Sequence, residues 1–227
     1  MITPIYAVIA THNKHQSVYS LVKKLQMSVD AIVVIDNAST TPLTKFLRDK
    51  KDIPNLHIVE DDEQPPNLSR LWNVGLKLVS KLTTADKWDV AVLNDDITVS
   101  PFWIRSLSDQ LRATEAAVAY GDQFDRDLKE PQLFTEAKPI SLFDRMCGYA
   151  HISKGELGLR FDESMRWWYS DDDYDWTCRQ SGGSLLVPGH AVLHDTPGES
   201  TNASVALSTQ AGIDRETFYK KWNQYPW

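Results

Sequence analysis

The sequence predicts an α/β fold whose mainly parallel sheet is covered by helices on both faces. Apolar runs alternate along the first half of the chain with segments that have helical periodicity. These runs are continuous rather than alternating with polar residues, which is typical of strands buried on both faces. Polar clusters at residues 12–14, 36–37 and 94–96 follow three of the runs directly. Because ligands of open α/β sheets bind beyond the carboxyl ends of strands, we expect a site at that edge.

The individual elements follow from local patterns. The apolar runs that predict strands lie at residues 8–10, 31–35, 56–59, 90–93 and 116–120. Side chains at i, i+3, i+4 and i+7 predict three helices, with the apolar faces Val18, Leu21, Val22 and Leu25; Leu68, Leu71, Trp72, Gly75 and Val79; and Trp103, Leu107 and Leu111. Asn67 is expected to cap the second of these helices, whereas Thr41-Pro42 and Ser100-Pro101 each provide a cap followed by proline at a helix start.

The alternation ends after residue 121, and the chain is predicted to divide there. Residues 1–121 form a Rossmann-like half. Residues 122–138 are charged and contain proline, which predicts a mobile loop. Residues 122–200 as a whole form a smaller mixed half with short strands, one helix and several glycines, and residues 201–227 form a tail with two weakly helical pieces.

Composition narrows the class of protein. The 227 residues are enough for one large domain, and the net charge of −7 disfavours a wide nucleic-acid or anionic-membrane footprint. No apolar stretch approaches the roughly 18 residues that span a membrane, and the N-terminus lacks the features of a signal peptide. We therefore expect a cytoplasmic protein, free or peripherally bound to a membrane, with no integral membrane segment. Cys147 and Cys178 are interpreted as buried thiols.

The cluster Asn94-Asp95-Asp96 directly follows the apolar run at 90–93. Asn and Asp favour turns, so these residues could simply connect a strand to a helix. Carboxylates at a strand end could also hold Mg²⁺ or Mn²⁺, which bind one or two carboxylates together with substrate phosphates. The residues alone leave both interpretations open.

Three charged residues elsewhere suggest a nucleotide. Asp36 ends the second predicted strand, where an acid can accept hydrogen bonds from a ribose or a base. The sequence contains no Gly-rich phosphate loop, so a diphosphate would need a metal and basic side chains. Lys14 and Arg70 are candidates for that role, although both could be solvated surface charges.

The segment WWYSDDDYDW at residues 167–176 contains four acids within five positions. Ser170 could cap a helix whose first turn favours acids. The number of acids exceeds what capping requires, and crowded carboxylates can raise one another's pKa, which suits a general base. The aromatic residues beside them could form a platform for a sugar. His194 follows a later apolar stretch and is either structural or a ligand near Asp96.

Six segments, taken in order, resemble the family 2 glycosyltransferases, which have the GT-A fold. The resemblance runs from about Tyr6 to Ser200. The segments are VIATHNK, VVIDNAST, NLSRLWNVGL, VLNDDITVSPFW, LRFDESMRWWYSDDDYDWTCR and VLHDTPGES. The resemblance implies that residues 1–121 bind a nucleotide sugar and that residues 122–200 form the acceptor side of the same domain.

The resemblance also implies roles for individual residues in a metal-dependent, inverting hexosyl- or pentosyltransferase. The residues implied to bind the donor are Thr11, Asn13, Lys14, Asp36, Arg70, Asn73, Asn94 and Asp95. Asp96 is implied to bind Mn²⁺ or Mg²⁺ together with His194. Asp173 aligns with the catalytic base, and Asp172 replaces a glutamate of the family, which leaves open which of the two takes the proton. The aromatic residues implied to bind the acceptor are Trp167, Trp168 and Tyr169.

The substrates follow from the resemblance only in outline. UDP- and dTDP-sugars are the commonest donors of the family, and the acceptor could be a saccharide, a lipid, a protein or a modified nucleobase. A sugar-nucleotide pyrophosphorylase is disfavoured because THNKHQS is not a Gly-rich basic loop. The alternative function is a nucleotide- or glycan-binding module of the same fold that has lost catalysis.

Overall fold

The structure is a computed structural model that describes residues 2–50, 53–100, 102–195, 201 and 204–227. The strands in these ranges are β1 (Ile5–Thr11), β2 (Ala31–Asn37), β3 (Leu56–Asp61), β4 (Asp89–Leu93), β5 (Ile97–Thr98), β6 (Val118–Gly121), β7 (Gln132–Phe134), β8 (Ala150–Lys154), β9 (Ser184–Val187) and β10 (Leu193–His194). The helices are α1 (His15–Leu25), α2 (Leu43–Leu47), α3 (Leu68–Leu82), α4 (Trp103–Arg112), α5 (Ser170–Gln180) and α6 (Val205–Trp222).

An eight-stranded sheet with the order β3-β2-β1-β4-β8-β6-β9-β7 forms the centre of the fold. Strand β1 is parallel to β2 and β4, β2 is parallel to β3, and β6 is parallel to β9. Strands β8 and β7 run antiparallel to their neighbours. The predicted mainly parallel sheet is therefore confirmed. A separate two-stranded sheet pairs β5 with β10 and brings His194 opposite Ile97.

Helices cover both faces of the sheet, as the continuous apolar runs predict. Every residue of β1, β2 and β4 is buried. The predicted apolar faces of α1, α3 and α4 are buried as well, apart from the half-buried Leu68 of α3. Helix α3 packs directly on β1, because a Cβ atom at Gly75 would lie 2.3 Å from Val8 Cγ1. Asn67 caps α3 as predicted, and its side chain accepts a hydrogen bond from the Arg70 backbone N–H (3.1 Å).

Four local predictions were wrong. The predicted loop at 122–138 contains β7, which pairs with β9. Helix α2 begins at Leu43 with Pro42 as its N-cap, so Thr41 is not the cap and Pro42 is not the first helical residue. Ser170 is the first residue of α5, and the N-cap is Tyr169 with φ 63°. Helix α4 begins at Trp103 with Phe102 as its N-cap, and the predicted Pro101 lies outside the described residues.

Helix α6 is part of the packed structure. Its Phe218 is fully buried and packs with Met165 and with Trp176 of α5. Its Trp222 Nε1 donates a hydrogen bond to the Asp173 carboxylate (2.7 Å). The ring of Trp222 also contacts the Trp176 ring, with 5.2 Å between centroids. The tail that begins at residue 201 therefore supports α5.

None of the helices in the described ranges is long and apolar enough to cross a membrane. Both cysteines are free thiols and are buried, as predicted. Burial raises the pKa of the Cys147 thiol to about 12 and raises the pKa of Cys178 well above its usual range.

His151 is a buried titratable group on β8. Its ring lies among Phe161 and Tyr174, and burial lowers its pKa from 6.5 to about 4. The unfolded chain therefore takes up this proton at a higher pH than the folded chain. The stability that the neutral ring contributes is complete above about pH 6.5 and is lost as the pH falls towards about 4.

We expect His151→Leu to remove this acid sensitivity. From about pH 7.5 to about pH 5, the wild type should lose about 2 kcal/mol more free energy of unfolding than the variant. Urea unfolding at the two pH values measures the difference. An equal loss in both proteins would show that His151 does not cause it.

Candidate active site

A cleft of about 540 Å³ opens at the carboxyl ends of β1, β2 and β4. These strands are parallel and adjacent, so the residues that follow them meet at one edge of the sheet. The N-terminus of α5 and the start of the C-terminal segment complete the wall, through Ser170, Asp171, Thr201 and Leu207. The cleft therefore lies at the sheet edge where the sequence predicts a site.

The acidic cluster after β4 lies in this cleft. Asn94, Asp95 and Asp96 all line it, and the Asn94 backbone N–H donates to the carbonyl of Tyr149 (2.9 Å). The hydroxyl of Thr11 donates to Asp95 Oδ2 (2.7 Å). Both interpretations of the cluster therefore apply. A backbone hydrogen bond shapes the turn, and the carboxylates face the cleft.

Asp96 and His194 lie side by side, with 3.1 Å between Asp96 Oδ1 and His194 Nε2. The pairing of β5 with β10 brings these two residues together, and the Asp195 backbone N–H donates to the Asp96 carbonyl (2.9 Å). The ring of Tyr149 packs on His194, with 4.4 Å between centroids. The predicted proximity of His194 to the acidic cluster is therefore present. The rest of the quoted segment VLHDTPGES, from Thr196 to Ser200, lies outside the described residues.

The acidic edge of the cleft favours a cation. Burial raises the pKa of Asp95 to about 6; the Thr11 hydrogen bond opposes this shift, and the charge of Asp96 adds to it. Two neighbouring carboxylates in a partly dry site are stabilised when a cation lies beside them.

The residues present fit a metal that is shared with a substrate. In the described part of the chain, no group of three or more His, Cys, Asp or Glu side chains is arranged to hold a metal ion. Asp96 and His194 supply one oxygen and one nitrogen ligand, and the carboxylate is the ligand type that suits Mn²⁺ and Mg²⁺. Mn²⁺ and Mg²⁺ commonly complete their coordination with substrate phosphates and water. A site with two protein ligands is therefore chemically sufficient.

The acids of α5 occupy different environments. Asp171 lines the cleft, and the Gly148 backbone N–H donates to its Oδ2 (3.2 Å). Asp172 is buried below the surface with Arg145 Nη1 at 3.1 Å. Asp173 is buried against α6 and contacts Lys221 Nζ at 2.8 Å. The structure therefore brings Asp171 to the cleft, whereas the predicted base Asp173 and its neighbour Asp172 bind other side chains.

Burial is the main cause of the pKa shifts of Asp172 and Asp173. Burial raises the pKa of Asp172 well above its usual range, and the charge of Asp171 adds to the shift. Burial also raises the pKa of Asp173, while the hydrogen bond from Lys221 opposes that shift. The helical turn places residues 172 and 173 towards the protein interior.

Two of the three predicted aromatic residues line the cleft. The indole N–H groups of Trp167 and Trp168 both donate to Thr201 Oγ1, at 2.9 and 3.0 Å. Tyr169 instead stacks on Trp227, with 5.3 Å between centroids and 8° between planes. The positive φ of Tyr169 turns the chain at this point, which separates its ring from those of the two tryptophans.

The predicted donor residues divide into two groups. Thr11, Lys14, Asn94 and Asp95 line the cleft. The other four predicted residues do not line the cleft and have structural partners, and they are Asn13, Asp36, Arg70 and Asn73.

The partners of these four residues explain their positions. Asp36 is buried and accepts hydrogen bonds from the Ser39 hydroxyl and from the Leu43 backbone N–H (2.6 Å). The side-chain oxygen of Asn13 accepts a hydrogen bond from Thr40 N–H (2.8 Å). Arg70 Nη2 pairs with Asp61 (2.6 Å) and Nε with Glu63 (2.9 Å), and Asn73 Nδ2 donates to the Phe161 carbonyl (2.9 Å). Each of these side chains holds a loop in place.

Three residues that were not predicted also line this part of the cleft: His12, Asn37 and Gln64. His12 Nδ1 donates to the carbonyl of Asn37 (2.7 Å), and Gln64 Nε2 donates to Asn37 Oδ1 (3.2 Å). His12 and Asn37 belong to the polar clusters noted above. The strand β2 continues to Asn37, and this residue rather than Asp36 reaches the cleft.

This sheet, with an acidic strand end at its ligand-binding edge, is the GT-A fold, and the predicted fold class is confirmed. Solved structures support it. The mannosyltransferase PcManGT from Pyrobaculum calidifontis, in complex with GDP-Man and Mn²⁺, has a TM-score of 0.69 at 13% identity over 100% of this chain and 66% of that chain. No protein-family model matches the chain, and no curated protein sequence is significantly similar to it.

Two further structures show the same similarity. Glucosyl-3-phosphoglycerate synthase from Mycobacterium tuberculosis, in complex with Mn²⁺, UDP and glucosyl-3-phosphoglycerate, has a TM-score of 0.65 at 14% identity over 97% of this chain and 80% of that chain. S. aureus TarS 1-349 in complex with UDP has a TM-score of 0.63 at 10% identity over 98% of this chain and 72% of that chain. At such low identity the similarity defines the fold, and the chemistry must be argued from the cleft.

Proposed function

We propose that this protein transfers a sugar from a nucleotide-diphosphate sugar to an acceptor hydroxyl. The observation that carries the proposal is a single cleft lined by the carboxylates of Asp95 and Asp96, by His194 and by Asp171. The adjacent residues Gly148 and Tyr149 contact both sides of this cleft. Tyr149 contacts Asn94 and His194, and the Gly148 N–H binds Asp171. The nucleotides and Mn²⁺ bound in the similar structures support this class of donor.

The donor would lie along the ends of β1, β2 and β4. Thr11, His12, Asn37 and Gln64 offer hydrogen-bonding groups for a base and a ribose. Lys14 would face the diphosphate, since it also lines the cleft beside Asp95. UDP- and dTDP-sugars remain the first candidates, and GDP-mannose joins them because it is bound in one of the similar structures.

We assign the general base to Asp171 instead of Asp173. The Gly148 N–H fixes one carboxylate oxygen of Asp171, and an ionised carboxylate has further lone pairs for the proton of an acceptor hydroxyl. That hydroxyl oxygen would attack the anomeric carbon as Asp171 takes its proton, and the anomeric configuration would invert. Asp96 and His194 would hold Mn²⁺ or Mg²⁺, which, when bound, stabilises negative charge on the departing nucleoside diphosphate.

Donor and metal can be tested together by a thermal-shift screen of UDP-, dTDP- and GDP-sugars with and without Mn²⁺, followed by an assay of nucleoside diphosphate release. We expect one donor class to stabilise the protein and Mn²⁺ to increase the shift. Asp96→Asn should abolish the increase in thermal shift that Mn²⁺ causes. The matched control is Asp195→Asn, whose exposed side chain follows β10 in the same two-stranded sheet. Binding without any release in the presence of acceptors would instead support the inactive binding module.

Gly148→Ala tests whether Asp171 needs its present position. A Cβ atom at Gly148 would lie 2.6 Å from Asp171 Oδ2 and 2.8 Å from its Cβ, so the carboxylate must move. We expect the turnover number to fall by about 10- to 100-fold, because small displacements of a catalytic group are costly, while donor affinity stays unchanged.

The matched control for this prediction is Gly212→Ala on α6, where an added Cβ has no atom within 4 Å. This variant should retain wild-type turnover. Full turnover in Gly148→Ala, with the protein folded, would contradict the assignment of Asp171.

A further inference from the structure

Arg145 is a basic side chain of the cleft that the donor-binding residues and the base do not explain. It lines the cleft, and its side chain is 18% exposed. Its Nη1 contacts both oxygens of Asp172, at 3.1 and 3.3 Å. Its Nε is buried and makes no hydrogen bond within the described residues. The guanidinium therefore uses only part of its donor capacity in the contact with Asp172.

Aromatic rings hold this guanidinium in place. Its Cζ lies 4.3 Å from the ring centroid of Trp227, and that ring also stacks in parallel on Tyr169. A stacked guanidinium loses little conformational entropy when it binds a ligand. Its planar fork of N–H donors matches a carboxylate or a phosphate. The stack thus leaves Arg145 preorganised for an anion.

The charges nearby explain why an anion would need this side chain. Asp171 lines the same wall, and its carboxylate would repel an anionic substrate. Asp172 is buried and contacts only Nη1 of Arg145, so the other N–H groups of the guanidinium are not used in this pair. Arg145 can therefore attract an anion to the part of the cleft where Asp171 lies.

The position of Arg145 favours the acceptor over the donor. Lys14, Asp95 and Asp96 follow strands at the donor end of the cleft, and His194 lies there at the end of β10. Arg145 instead contacts α5 and the C-terminal residue Trp227. It lies three positions before Gly148, which holds the proposed base.

We propose that Arg145 binds a carboxylate or phosphate group of the acceptor and thereby places the acceptor hydroxyl at Asp171. This inference rests on the proposed sugar transfer, and it narrows the acceptor to an anionic hydroxy compound. A carboxylate and a phosphate would both pair with the N–H fork of the guanidinium, and the titration below distinguishes the two groups.

The test is isothermal titration of the protein with glycerol 3-phosphate, glycerate and glycerol, each with and without UDP and Mn²⁺. We expect at least one of the two anions to bind about 10-fold or more tightly than neutral glycerol. The tighter anion identifies the group. Arg145→Gln should remove the preference, and Arg145→Lys should keep part of it, because a lysine supplies charge without the planar fork.

Arg145→Gln leaves Asp172 buried without its partner and could unfold the protein. The pair Asp172→Asn and Arg145→Gln/Asp172→Asn avoids this problem, since neither leaves the Asp172 carboxylate buried without a partner; the Arg145 guanidinium that remains in Asp172→Asn is partly exposed to the cleft. Asp172→Asn should retain the anion preference, and the double variant should lose it by about 10-fold. UDP affinity should be the same in both.

Three results would overturn the proposal. They are equal affinity for the anions and glycerol, equal anion binding in the two Asp172 variants, and weaker UDP binding when Arg145 is replaced. A selective loss of UDP-glucuronate over UDP-glucose binding would assign Arg145 to the donor sugar. If none of UDP, dTDP and GDP binds the wild type, the proposed function fails, whereas the titrations without nucleotide still decide the anion site.

Discussion

Replacement of Asp171 by asparagine is expected to lower the turnover number by about 100- to 10,000-fold, the range that a general base contributes. Asparagine keeps the size of the side chain and can still accept the Gly148 hydrogen bond, but it cannot take a proton at neutral pH. Donor affinity should stay within about twofold of the wild type, because the donor end of the cleft is unchanged. Steady-state kinetics and titration with the nucleoside diphosphate measure the two effects separately.

Asp173→Asn provides the matched comparison on the same helix. Asp173 accepts hydrogen bonds from Trp222 Nε1 (2.7 Å) and from Lys221, so its loss loosens α6 from α5. We expect this variant to lose about 1–3 kcal/mol of the free energy of unfolding. If Asp173→Asn is stably folded and inactive while Asp171→Asn turns over normally, Asp173 is the base, as the family resemblance implies.

Much of the fold could be predicted because it depends on local patterns. The strands β1, β2 and β4 are buried on both faces, so their sequences are continuously apolar and easily recognised. The helices α1 and α3 each bury one face, which gives the periodicity that predicts them. The C-terminal helix α6 lacks such a simple face, because its buried residues Asp214 and Phe218 are one acid and one aromatic residue.

The candidate site could be predicted in position but only partly in its members. Asp95 and Asp96 follow a strand immediately, so the strand end alone places them at the ligand-binding edge. The choice between Asp171 and Asp173 depends on how α5 is rotated. That rotation is fixed by contacts with Lys221 and Trp222, which are remote in sequence. Spacing within the acidic segment therefore cannot identify the base.

The aromatic part of the site depends on α6 in the same way. The backbone N–H groups of Trp167 and Trp168 donate to Asp214 Oδ2, at 2.8 and 2.9 Å, and that of Arg166 donates to Oδ1 at 3.0 Å. Asp214 is fully buried, and Gln210 also donates to Oδ1 (2.8 Å). One carboxylate of the C-terminal helix thus fixes the backbone beneath the two tryptophans of the cleft.

Asp214→Ala is therefore expected to lower the free energy of unfolding by about 3–5 kcal/mol, because it leaves several buried amide donors without an acceptor. Asp214→Asn should also destabilise the protein, since one oxygen is replaced by an NH₂ group that cannot accept the backbone hydrogen bonds. Urea unfolding followed by circular dichroism measures the loss. The matched control is Glu216→Gln, an exposed acid on the same helix, which should stay within about 0.5 kcal/mol of the wild type.

The effect on activity separates this positioning role from simple stability. In the folded fraction of Asp214→Asn, we expect weaker acceptor binding with an unchanged affinity for the nucleoside diphosphate, because the donor end rests on β1, β2 and β4 rather than on α6. Acceptor KM and nucleotide affinity, both measured well below the unfolding midpoint, report this division. If acceptor and nucleotide binding weakened equally, Asp214 would support the fold as a whole, and the two tryptophans would have no separate dependence on α6.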